Sequence, residues 1–228
     1  MLAILYEDAH VLAVDKPAGV SVQATKSQVA TLEDEVRRHL VPTAPESAYL
    51  GTVHRLDRPV SGVLVFAKTP KAARRLASQF AQRQVLKEYW SVVEQLPDPP
   101  SGLWEDWLLA DRATGIKRAQ RVAAGTPQAR PARTRYLVAE PRRVPEGCAW
   151  LRLFPETGRM HQLRVQAASR GCPILGDRTY GASRAFAPEA IALHARRVEF
   201  QHPTTGERLV LEASPPTDWL EQGIELAL

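Results

Sequence analysis

Short apolar runs, broken every few positions by charge, glycine or proline, make up most of the chain. Ala3 to Tyr6 and His10 to Asp15 are two such runs separated by Glu7-Asp8-Ala9, which predicts a hairpin. Leu32, Val36 and Leu40 recur at helical spacing behind Thr31, with Asp34 placed to complete a capping box, and Pro42 closes the segment. Val63 to Ala67 reads as a buried strand, Thr69-Pro70 opens a helix running to about Gln84, and Val85 to Glu94 alternates as a strand.

Between residues 97 and 135 eight prolines and glycines punctuate the sequence, which predicts a loop-rich excursion. Strands are expected again at Arg135 to Ala139 and Ala149 to Phe154, then a helix from Met160 to Arg170 stopped by Gly171 and Pro173. Ala190 to Phe200 and Glu207 to Glu212 read as a strand pair. A last helix follows Pro215, with Trp219, Leu220 and Ile224 as its packing face. Strands outnumber helices, and hairpin spacing replaces a regular βαβ alternation. The expectation is an α+β fold around a mixed, largely antiparallel sheet with flanking helices, in one domain spanning residues 1–228.

Lys and Arg number 30 against 25 acidic residues, so the net charge of +5 weakly favours a polyanionic partner. Arg112, Lys117, Arg118, Arg121, Arg130, Arg133 and Arg135 fall in a stretch with no acidic residue. A phosphate-binding arm and a solvated arm account for that composition equally well. Cys148 and Cys172 form no CxxC and are too few for a zinc site or a disulfide framework, so they read as reduced packing residues. Glu7 and Asp8 cut short the apolar N-terminus, which has no basic leader, and no other run approaches a membrane span. A cytoplasmic protein without a membrane segment is expected.

The densest chemistry lies in Leu50 to Lys68. His54, Arg55, Asp57 and Arg58 crowd a turn bounded by Pro59 and Gly62 just before the apolar strand, a place where a side chain is held rigidly yet open to solvent. On spacing alone, a charged loop closed by an Asp-Arg pair explains the same residues.

His54-Arg55-Leu56-Asp57-Arg58, followed by Ser61-Gly62 and a strand ending Ala67-Lys68, resembles the catalytic motif of the RluA-type RNA pseudouridine synthases. Asp15-Lys16-Pro17-Ala18-Gly19, the run Thr157 to Val165, Gly176-Asp177 with Tyr180-Gly181, and Leu193-His194-Ala195 resemble further blocks of that family in the same order. The resemblance implies a pseudouridine synthase catalytic core, an RNA substrate, no metal and no cofactor. It implies a monomer without the small RNA-binding domain that often precedes this core, because the opening strand starts at about residue 3. By position it implies that Asp57 is the catalytic aspartate, Tyr89 the active-site tyrosine and Arg164 the arginine paired with the aspartate.

Substrate contacts are implied for Arg55, which fills the gap left by a flipped base, and for Leu193 as an apolar wall; Arg58 and, from the charge of the arm, Lys117, Arg118 and Arg121 are further candidate RNA contacts. His54, His161 and His194 read as structural hydrogen-bonding residues. Attack at ribose C1′, addition at uracil C6 and removal of a ribose proton are all open to the Asp57 carboxylate. Val60, Met160 and Gln166 depart from the family pattern, which bears on RNA contacts more than on the reaction. Two alternatives are a non-catalytic RNA-binding protein on the same scaffold, which would not need Asp57, Tyr89 and Arg164 together, and a hydrolase. No HxxxH, CxxC or Gly-x-Ser-x-Gly supports the hydrolase.

Overall fold

The computed structural model describes residues 2–24, 30–111 and 118–227. They fall into two compact units: residues 1–87 with 195–215, and residues 88–194 with 216–228.

In the first unit β1 (Ile4–Glu7) and β2 (Val11–Lys16) form the expected antiparallel hairpin. The order continues through β4 (Ser61–Ala67) to β10 (Leu193–Gln201), with the short β3 (Gly51–Thr52) on β4 and β11 (Arg208–Glu212) on β10. Every residue of β4 is buried, as its uninterrupted apolar sequence requires. Val63, Val65 and Ala67 pack with Val11, Ala13, Val198 and Phe200 beneath Ala72 and Leu76 of α2 (Pro70–Ala81). Thr69 caps α2, accepting the Ala72 N–H, and Pro70 sits where a helix has no use for its missing N–H. α1 (Leu32–Leu40) carries the full capping box: Thr31 Oγ1 accepts the Asp34 N–H, and the Asp34 carboxylate accepts the Thr31 N–H.

The second unit contains the strand order β5 (Leu86–Val93), β9 (Ala149–Pro155), β8 (Arg130–Ala139), β6 (Ser101–Asp111), β7 (Arg118–Val122), each pair antiparallel. The loop-rich excursion expected at 97–135 is therefore mostly strand. Trp104, Asp106 and Leu108 are buried while Leu103, Glu105 and Trp107 are exposed, an alternation of period two. It was hidden because Asp106 is polar on the inner face and Leu103 and Trp107 are apolar on the outer one.

α3 (Gln162–Ala168) is shorter than the helix expected from Met160 to Arg170. It starts at His161, whose φ of 52° places a non-glycine residue in the left-handed region. Residues 162–167 are all buried, with Val165 packed on Leu108, Ala119 and Ala132. In α4 (Thr217–Glu221) Trp219 is buried, and Ile224 beyond it also, but Leu220 is exposed and takes no part in the packing face expected for it.

Candidate functional site

Asp57 lies on the turn that leads into β4, where the Val60 N–H returns to the Asp57 carbonyl at 3.1 Å. Leu56, Val60 and Ser61 on either side are buried, so the turn is pinned at both ends. Gly62, the second residue of β4, has a φ of 111°, and a Cβ there would lie 2.3 Å from the Ala195 carbonyl oxygen. Only glycine meets both the conformation and the close approach of β10.

The residue beneath this turn is one to which the sequence assigns no role of its own. Lys16 ends β2 opposite Gly62 and is wholly buried. Its Nζ donates to the carbonyls of Pro17 at 2.8 Å, Val20 at 2.9 Å and Arg58 at 3.2 Å, tying the loop after β2 to the turn holding Asp57. Burial lowers the Lys16 pKa to about 7, and the negative charge of Asp57 works against that fall. Arg58 closes the same loop a second way, its Nε donating to the Gly19 carbonyl at 2.8 Å while its own carbonyl accepts the Gly19 N–H at 2.8 Å.

His54 is structural, as expected. Its Nε2 accepts the Val65 N–H at 2.9 Å, and its ring stacks on Phe80 with 4.7 Å between centroids. Burial, with Lys87 adding repulsion, lowers its pKa to about 3, so the ring is neutral at physiological pH. Arg55 is exposed, at a long 3.5 Å from Gln23 Oε1.

In the second unit Tyr89 is half-buried on β5, opposite Leu153 of β9. Leu153 is also the partner of Tyr136 on β8, and Leu193 is buried at the start of β10. Arg164 is 5% exposed in the middle of α3. Its Nε and one terminal nitrogen donate to the two oxygens of Asp177 at 2.6 and 2.8 Å. Asp177 is another residue whose role sequence reading missed.

The arm residues divide. Arg118 is exposed on β7, Lys117 and Arg112 lie outside the described residues, and Arg121 is bound to Asp106 at 2.9 Å. The absence of acids along the arm does not leave Arg121, Arg133 and Arg135 uncompensated. Arg121 and Arg170 both reach Asp106, and Arg133 and Arg135 pair with Glu156, because acidic residues outside the arm supply the partners. Gln166, one of the departures, is fully buried and satisfied: its amide donates to Asp106 at 2.8 Å and to the Trp104 carbonyl at 3.1 Å, and it accepts from Thr134 at 2.7 Å. Among the described residues, no group of three or more His, Cys, Asp or Glu side chains is placed to hold a metal ion.

Residues 10–169 match the family model described as RNA pseudouridylate synthase. The chain belongs to that family. It is 37% identical over 220 residues to the dual-specificity RNA pseudouridine synthase RluA of Escherichia coli, covering 96% of this chain and 94% of that one. It is 33% identical over 250 residues to tRNA pseudouridine synthase C of Salmonella typhi, covering 97% and 88%. Among solved structures, human RNA pseudouridylate synthase domain containing 4 superposes with a TM-score of 0.75 at 25% identity, covering 96% of this chain and 91% of that one. The likeness to this pseudouridine synthase structure bears out the α+β fold class. No helix among the described residues is long and apolar enough to cross a membrane.

Proposed function

We propose that this protein isomerises uridine to pseudouridine at chosen positions of ribosomal RNA, transfer RNA or both. The observation that carries this reading is the likeness, across nearly the whole of both chains, to relatives named RNA pseudouridine synthases. The reaction breaks the bond between ribose C1′ and uracil N1, turns the detached base and rejoins it through C5. The C5 proton is given up and N1 acquires one, so nothing is gained or lost and no redox partner is required.

In this reading Asp57 is the nucleophile, on a turn stiffened by the buried Lys16 side chain and by the glycine at 62. Tyr89 offers a ring face to the uracil and a hydroxyl to a proton, Leu193 an apolar wall, and Arg164 a fixed positive charge. A base in a folded RNA must leave its stack to react, and the exposed guanidinium of Arg55 fills the gap. Arg58, Lys117, Arg118 and Arg121 contact the RNA backbone. The protein works as a monomer in the cytoplasm, residues 1–228 acting as one catalytic domain without metal or cofactor.

The test is a map of pseudouridine across cellular RNA with and without the gene. Sites that vanish and return with the purified protein name the substrate; identical maps contradict the reading.

A further inference from the structure

Tyr180 lies in a single 3-10 turn, Arg178–Tyr180, that begins directly after Asp177, the residue gripping Arg164. Its ring lies against two guanidinium groups, the Arg164 carbon 5.1 Å and the Arg118 carbon 5.5 Å from its centroid. Its hydroxyl accepts the Ala119 N–H at 2.9 Å and shares a hydrogen bond with His161 Nδ1 at 2.8 Å. One side chain thus touches β7 at Arg118 and Ala119, the residue from which α3 starts, and the arginine three residues into that helix. Packing alone would need only a ring.

Each contact answers a local need. β7 is the last strand in its order, so the Ala119 N–H takes its partner from Tyr180. Arg118 and Arg164 carry like charges, and the electron-rich ring that both lie over offsets part of their repulsion. His161 holds a left-handed conformation uncommon outside glycine, which persists only where the surroundings fix it.

We propose that Tyr180 is a positioning residue that locks β7 to α3, so that RNA held at Arg118 meets an Arg164 guanidinium already fixed in place. This rests on the reading that Arg164 serves the reaction and Arg118 meets RNA. Tyr180→Phe keeps the ring and loses both hydrogen bonds; Tyr180→Leu loses the ring face as well.

The experiment measures single-turnover pseudouridine formation at saturating RNA, per folded molecule, for wild type and both variants, with amide exchange at Ala119 in the RNA-free proteins. Phe is expected to slow the reaction by about threefold to tenfold and Leu by about thirtyfold or more. Exchange at Ala119 is expected to quicken in both variants. Equal, wild-type rates in both variants would overturn the proposal, and so would unchanged exchange. A wild type that forms no pseudouridine, or an undiminished Arg164→Met, would instead sink the underlying reading, and exchange at Ala119 would still decide whether the lock exists.

Discussion

Asp177 grips Arg164 with both carboxylate oxygens, at 2.6 and 2.8 Å, and both side chains are almost wholly buried. A bidentate fork fixes the guanidinium plane as well as its position. The arginine therefore has a defined orientation before any RNA arrives.

Removing one member of such a buried pair leaves an uncompensated charge, at a cost of about 3–5 kcal/mol. Asp177→Asn should lose stability on that scale and lower the single-turnover rate of the molecules still folded. Arg164→Lys should behave similarly, since an ammonium cannot reproduce the fork. Urea denaturation alongside the rate measurement checks both; an Asp177→Asn protein with wild-type stability and rate would refute the assigned role.

Lys16 makes a pH prediction. Its folded pKa is about 7, against an unfolded value near 10.5. Between those values the unfolded chain holds a proton that the folded chain does not, so this residue's contribution rises with pH through the window and is lost as pH falls to about 7. The gain in stability from pH 7 to pH 10 should be smaller in Lys16→Met than in wild type. Parallel curves would mean the lysine keeps its proton throughout. His54 has the same sign on the acid side: its share of stability is lost as pH falls from 6.5 toward about 3.

The turn and its strand were readable because their signals are local. Pro59, Gly62 and an unbroken apolar run lie within a few residues of Asp57, and the capping box and hairpin are equally short-range. What supports the site was not readable. Lys16 is held by a carbonyl 42 positions away and Arg164 by a carboxylate 13 positions away, and neither spacing carries a periodic signal. In sequence Lys16 looks like a charge ending a strand, and only its place in the Asp15 to Gly19 block marked it. Asp106 misled in the opposite direction: a carboxylate on an inner strand position breaks the hydrophobic pattern, and the two arginines that make it tolerable lie 15 residues or more away.

On the arm, Arg118 and Arg121 should separate. Each lost phosphate contact flattens the dependence of log K on log salt by about 0.7 to 0.9 units. Arg118→Ala should show that change with little loss of stability. Arg121→Ala should lose stability too, because it strips a partner from buried Asp106. Salt titrations of RNA binding and denaturation curves decide; an unaltered slope for Arg118→Ala would make it a solvated residue.

Gly62→Ala should fold poorly, since its Cβ would collide with backbone rather than with a side chain that can swing away. A soluble variant with wild-type thermal stability would show that β10 can retreat.

As proposed, the Asp57 carboxylate performs the isomerisation. Asp57→Asn keeps the shape of the turn and removes the nucleophile. RNA from a strain lacking the gene, incubated with purified wild type or Asp57→Asn and assayed for pseudouridine by mass spectrometry, tests this directly. Full modification is expected with wild type and none above background with the variant, with RNA binding retained; modification by folded Asp57→Asn at a rate near wild type would mean that another group does the chemistry.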